Sequence, residues 1–469
     1  MTIIEGVHWL MNKNLFRIWA VGLIIALAVG FSICNAQADE TLQKTAQEQP
    51  PFLPGDMQGP PPGEMQPTKD ISTFKGAYIL DGVKGKLIGK TIGAQGENEN
   101  AILLKNGAEL TLENGILNKV GDTTSGDGSN FNGQNAVFLA ASNSKATIKS
   151  SEIYSNCEGS NAIFATGDQT KVMVQDVKIH TKGNSSRGLD ATYNGTIIAD
   201  DVHITTEGAH CAPLATDRGE GTVTVDNAVL SSSGEGSPCI YSTGNITADN
   251  SVGSASGSEC AVIEGKNSIT INNTSLTGNV KNGVMLYQSF SGDANTGIAR
   301  FTAKDSTLTS NAAGAMFYVT NTQAEVTLEN TNLNFSSGVL INVTSDRWGR
   351  EGVNGGDFTF TGIRQKLVGD ILANSISKIT VNLTQNTSFS GAINKYKTAK
   401  MASLNMDAKS FWNVTDDSYV TIFTDADQTL SNIKTNGHTI YYNANETENS
   451  WLEGETHNLA DGGKIEPLK

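Results

Sequence analysis

The sequence predicts an all-β chain wound into a parallel β-helix solenoid of about 12–15 three-strand rungs. Three observations predict it. A short phrase, a small residue followed by two or three apolar ones and a polar turn, restarts ten times between Ala101 and Ile341. It opens at Ala101, Ala136, Ala162, Gly188, Ala212, Cys239, Ala261, Gly283, Ala315 and Gly338, 22 to 35 residues apart. A second stretch in each repeat alternates apolar and polar residues, as in Leu110-Thr-Leu112, Val172-Met-Val174 and Ile269-Thr-Ile271, which is strand chemistry with one face buried. Two positions beyond it stands a turn residue: Asn114, Ser150, Asp176, Asp200, Asn227, Asn250, Asn273, Asp305 and Asn330. Such residues tolerate a left-handed backbone and should stack as a polar ladder. A unit of this length cannot bury its own apolar face, so it stacks on copies of itself.

The elements follow in order. Lys13 and Arg17 precede an apolar run from Trp19 to Ile33, and Ala36-Gln-Ala38 closes it. Residues 1–38 therefore read as a secretory signal peptide. Residues 39–70 are Gln-, Glu- and Pro-rich and are expected to be a disordered tether. Residues 71–100 enter the stack, the β-helix is expected over 71–445, and 446–469 is expected as a C-terminal tail. Longer turns should bulge near 119–134, 288–298 and 344–357. No window carries a sustained helical period, and no later segment is apolar over the roughly 18 residues of a membrane helix. The expected destination is secretion to the periplasm, the exterior or the cell surface.

Charge narrows the partners. The formal net charge is −15, which disfavours nucleic acid and anionic membranes through like-charge repulsion. No cofactor is implied, although Asp-rich turns are able to hold Ca²⁺. After the leader four cysteines remain, Cys157, Cys211, Cys239 and Cys260, and no zinc spacing is present. Export permits Cys211–Cys239 or Cys239–Cys260 as a disulfide between neighbouring rungs. The alternative is that they are small buried residues in a Gly/Ala slot.

The densest set of reactive side chains spans two neighbouring rungs: Arg187 and Asp190, then His210, Asp217, Arg218 and Glu220. Asp190 takes a slot where other repeats place Phe164, Leu214, Ile263, Met285 and Phe317, and a carboxylate there breaks the local rule. Two carboxylates beside arginines suit acid/base chemistry on a glycoside, or a surface ion-pair network across rungs. Glu264 is similarly out of place in a strand, with Lys266 as its expected partner. Tyr193, Tyr241, Tyr287 and Tyr318 fall near one strand column, where aromatic faces could stack on sugar rings.

Repeat length, strand count and the turn ladder over 71–445 resemble the right-handed parallel β-helix (pectate-lyase-like) family of pectin-degrading enzymes, tail-spike proteins and bacterial surface adhesins. Ser410–Ile422 and His438–Tyr442 resemble the closing rungs of pertactin-like adhesin passengers, although no translocator barrel or cell-wall sorting signal accompanies them. The resemblance implies an adhesin-like protein that recognises polysaccharide or a cell-surface glycan through its solenoid flank. It also implies, as alternatives, a polysaccharide lyase or glycoside hydrolase centred near Asp190 and Asp217, or a structural spacer. The full set of the pectin hydrolases, an Asn-x-Asp strand, an Asp-Asp pair, a Gly-His-Gly turn and an Arg-x-Lys, cannot be placed in this chain. Asp200-Asp201 matches only their Asp pair.

Overall fold

The computed structural model describes residues 70–468. The expected signal peptide and tether, residues 1–38 and 39–70, lie outside the described residues apart from Asp70. Over the described residues the chain is a parallel β-solenoid of about 16 turns, 51% strand and 4% helix, slightly more rungs than the repeat count predicts. One long face is a parallel sheet of 12 strands, running from Lys75–Asp81 through Leu189–Thr192 to Asp370–Ala373. The alternating stretches and the short strands that follow them build the other faces.

The corner between those two faces is a single residue. Lys145–Ser155, Lys171–Thr181, Thr196–Thr206 and Thr222–Ser232 each run unbroken for 11 residues around it. Their bends are made by Ser150, Asp176, Asp201 and Asn227, all with positive φ. Eight of the nine expected turn residues take this conformation; in the remaining rung Asp201, not Asp200, does so. Asp200 instead stays in the strand, where its carboxylate accepts from the Asn227 amide at 3.0 Å. Asn273 to Asn250 and Asn330 to Asp305, both 2.7 Å, realise the ladder between corner residues. Inward positions such as Val223 and Val225 are buried throughout the stack, so apolar burial along one axis holds the solenoid together.

Two expectations change at the margins. The bulge near 119–134 contains a seven-residue helix, α1 (Gly126–Asn132), which is too short to leave a periodic signal. Its Ser125 cap accepts from the Gly128 amide, and Gly133 ends it at φ 68°, the favoured residue types for both ends. The segment from residue 446 is not a loose tail. Thr447–Leu452 forms a 3₁₀ turn, and Lys464–Pro467 pairs in parallel with Thr439–Tyr442. Trp412 closes the core near this end, fully buried against Phe389 and Phe423.

All four cysteines are buried free thiols, and neither proposed disulfide forms. Leu214 pairs with Ile240, which places Cys211 opposite Ser237 and not Cys239. Cys239 and Cys260 do share a column, since Ile240 pairs with Ala261. Their sulfurs turn instead toward backbone carbonyls, Thr277 at 3.9 Å and Thr309 at 3.2 Å. Burial pushes Cys260 up to about 12 and Cys211 to about 11, so they behave as small core residues.

Candidate functional site

Alternate residues of the 12-stranded sheet point away from the core. The outward column through Asp190 reads Leu103, Leu139, Phe164, Asp190, Ala215, Tyr241, Val262, Met285, Tyr318 and Asn342. Leu214, Ile263 and Phe317, expected in this column, sit one residue away and face the core. Turn lengths vary between rungs, so Ala212 falls one residue before the true register of Gly188 and Cys239, and Ala261 one residue after it.

The middle of this outer face is a groove of about 790 Å³, within the range of about 300–1,000 Å³ typical of ligand clefts. Its floor is low because Ala212, Pro238 and Val262 are short. One long side is a high wall built by the three expected bulges. The end of α1 supplies Asn130 and Phe131, loop 288–298 supplies Asp293, and loop 344–357 supplies Asp346, Arg347 and Trp348. The opposite rim is low. There Gly183, Gly208, Gly234 and Gly257 stack so tightly that a Cβ on each would lie 1.8–2.2 Å from a carbonyl oxygen of the preceding rung.

Arg187 organises one end. Its guanidinium lies 2.9 Å from Asp217 and 3.9 Å from Asp190, and its Nη1 donates to Asn130 at 3.0 Å. Asp190 is wholly buried and neither of its oxygens accepts a hydrogen bond. Burial pushes Asp190 up to about 6 against the pull of Arg187. Burial likewise pushes Asp217 up to about 8; Arg187 opposes this, while Asp190 and Asp293 add to it. One guanidinium cannot neutralise two desolvated carboxylates, so the pair retains a proton near neutral pH. Among the described residues no group of three or more His, Cys, Asp or Glu side chains is placed to hold a metal ion. Between these two carboxylates the cation is Arg187.

Glu264 fastens the wall. Its Oε2 accepts from the hydroxyls of Tyr241 and Tyr287, both at 2.8 Å, and its Oε1 accepts from the Ser289 hydroxyl and amide. The expected pair with Lys266 does not form; Lys266 reaches Glu220 at 2.8 Å instead. Adjacent strand residues of like parity share a face, but the turn at Gly265, with φ +68°, sends Lys266 elsewhere. Glu220 also accepts from Asn295, so it anchors the far end of loop 288–298 and does not line the groove.

The remaining expected residues divide. Tyr241 and Tyr318 share the Asp190 column, whereas Tyr287 lies in the next outward column beside Glu264; all three line the groove, as does His210 on the low rim. Tyr193 is not in the column: it turns the chain at φ 46° and packs against Gly219. Arg218 pairs with Asp293 and lies 3.7 Å over the Phe131 ring, a strut between α1 and loop 288–298. Sequence reasoning missed Phe131, Asp293, Trp348 and the buried Glu259. Trp348 packs on Tyr287 at 5.4 Å between ring centroids. The available signal was rung length: intervals of 35 and 32 residues stand out against 22–27, and both extra stretches build the wall. No protein-family model matches the chain and no curated protein does either, so its function is read from the solenoid and this groove.

Proposed function

We propose that this is an exported, adhesin-like β-helix protein that binds a polysaccharide or cell-surface glycan in the groove on its 12-stranded sheet. The observation that carries the reading is the aromatic-walled cleft itself. Tyr241, Tyr287, Tyr318 and Trp348 are half-buried around one hollow with charged groups between them. Aromatic faces stack on the apolar faces of sugar rings, and the tyrosine hydroxyls are held by Glu264 and Asp346, which fixes those faces. The resemblance to β-helix adhesins and pectin-degrading enzymes supports a saccharide by fold alone.

Charge favours a neutral or amino sugar over a polyuronate. The lining carries Asp217, Glu259, Asp293 and Asp346 against Arg187, Lys281 and Arg347, with Glu264 beneath. Arg187 is already engaged by Asp217 and Asp190, so no free arginine cluster awaits an acidic chain.

One observation favours a second reading, hydrolysis of the bound glycan. A buried carboxyl pair that shares a proton near neutral pH, as burial makes Asp190 and Asp217 do, suits a general acid. A glycan array scored for both retention and product separates the readings. Recognition predicts retention without turnover, weakened in Trp348→Ala and Tyr318→Ala. Products that disappear in Asp217→Asn would establish the enzyme. Neither retention nor product would leave a structural spacer and sink the proposal.

A further inference from the structure

We infer that the groove receives the end of a saccharide chain and does not let a chain thread through. This rests on the saccharide reading above. The groove spans five rung steps, from the rung of Arg187 to that of Tyr318, roughly 24 Å at ~4.8 Å per rung. Tyr241, Val262, Met285 and Tyr318 of the column line it, while Asp190 and Ala215 lie buried at its closed end. Its two ends are built differently.

The Asp190 end is plugged. The Phe131 carbonyl accepts from the Thr192 hydroxyl at 2.9 Å, which presses α1 onto the sheet. Arg218 lies against the Phe131 ring and is bonded to Asp293, so helix, sheet and loop 288–298 meet there. Behind the plug the column continues as Phe164, Leu139 and Leu103, all buried in an external apolar cluster with Phe74. Among the described residues the groove lining does not extend in that direction. Beyond Tyr318 the column continues as Asn342 and Leu372, both partly exposed, so that end is open.

The plugged end and the low rim also carry the chemistry of a terminus. At the plugged end Arg187 and Asp217 are bonded to each other at 2.9 Å and form a fixed polar wall. Glu259 stands three rung steps along the rim column that begins at Arg187; it is 3% exposed, lines the groove, and its Oε1 has no hydrogen-bond partner. A buried carboxylate oxygen without a donor is costly unless a ligand supplies one. Hydroxyls or an ammonium of a neutral or amino sugar do so, and a uronate carboxylate does not.

The test uses the secreted protein and neutral-sugar and amino-sugar oligosaccharides in four forms: both ends free, the reducing end carrying a bulky fluorophore, the non-reducing end capped by a bulky substituent, and both ends blocked. Affinity is measured by calorimetry. Blocking one end should weaken binding about tenfold or more, blocking the other should leave it unchanged, and the doubly blocked form should match the sensitive one. Equal affinity for all forms overturns end recognition while leaving the saccharide reading intact. Binding of no form overturns both. In Phe131→Ala, which removes the plug, the blocked end should regain affinity relative to the free one; if this variant fails to fold, the four-form comparison on the unaltered protein still decides.

Discussion

Two stretches of one outward column do opposite things. Over the early rungs Leu103, Leu139 and Phe164 are apolar and lie covered by Phe74 and the bulge that carries α1. Over the middle rungs the same column passes the buried Asp190 and Ala215 and then carries Tyr241, Met285 and Tyr318, where the bulges stand beside it and leave a hollow. Backbone and register are alike in both stretches. The difference lies in side-chain chemistry and in where the extra loop length folds: apolar outward residues recruit a cover, whereas charged and aromatic ones sustain a groove.

The largest expected effect comes from removing the charge that makes the middle stretch possible. Arg187→Ala leaves two buried carboxylates uncompensated, and its stability should fall by about 3–5 kcal/mol near pH 8. At pH 5 the loss should be smaller, because the carboxylates then hold protons. The unaltered protein carries the matching signature. Asp190 and Asp217 bind protons more tightly folded than unfolded, so their contribution is fully present below about pH 4, the ordinary carboxylate range. It is lost as pH rises through about 6 and about 8, since the folded state then holds the excess protons. Urea midpoints from pH 4 to 9 should therefore fall with pH, and Asp217→Asn should flatten that slope. A slope unchanged in Asp217→Asn would show that the pair does not govern it.

Next is the fastening of the wall. Glu264→Ala orphans the Tyr241 and Tyr287 hydroxyls, at a cost of roughly 1–3 kcal/mol for each group that stays buried. It also frees Ser289 and Ser291. Protease should then cut within 288–298 faster than in the unaltered chain, while the apolar cover over Phe164 stays protected. Equal cleavage in both chains would mean that Arg218 and Asn295 hold the loop without Glu264. A smaller change is expected from Trp348→Ala. Its indole packs on Tyr287 at the groove edge, so glycan affinity should drop about tenfold, or ~1.4 kcal/mol, with the unfolding midpoint nearly unchanged.

Much of the solenoid was legible because its cause is local and repeated. Thr-Val alternation, and an Asn, Asp or Ser able to adopt positive φ, recur over the nine rungs from Asn114 to Asn330, so eight of nine corners fall where the spacing puts them. Register was less legible. A column depends on turn lengths summed over successive rungs, and one extra residue moved Leu214 and Phe317 from the outer face to the core. The charged end of the groove could be read from Arg187, Asp190 and Asp217, whose types contradict their slots. Its wall could not. Asp293 meets Arg218 across 75 residues, and nothing in the spacing of a loop states which earlier rung it will fold back upon.

Lys266 gives the finest test of that distinction, because sequence proximity and geometry assign it different partners. Proximity pairs it with Glu264; the structure pairs it with Glu220, where both side chains are partly exposed, 44% and 29%. An ion pair in that setting is worth about 0–1 kcal/mol, and Asn295 still donates to Glu220 when the lysine is gone. Lys266→Ala should therefore shift stability by less than about 0.5 kcal/mol and leave glycan affinity and cleavage of loop 288–298 unchanged. A loss as large as that of Glu264→Ala would restore the pairing that proximity suggests and would break the account of how the wall is held. Measuring both variants side by side isolates the role of Glu264: its value lies in gathering two tyrosines and a loop, not in balancing a neighbouring charge.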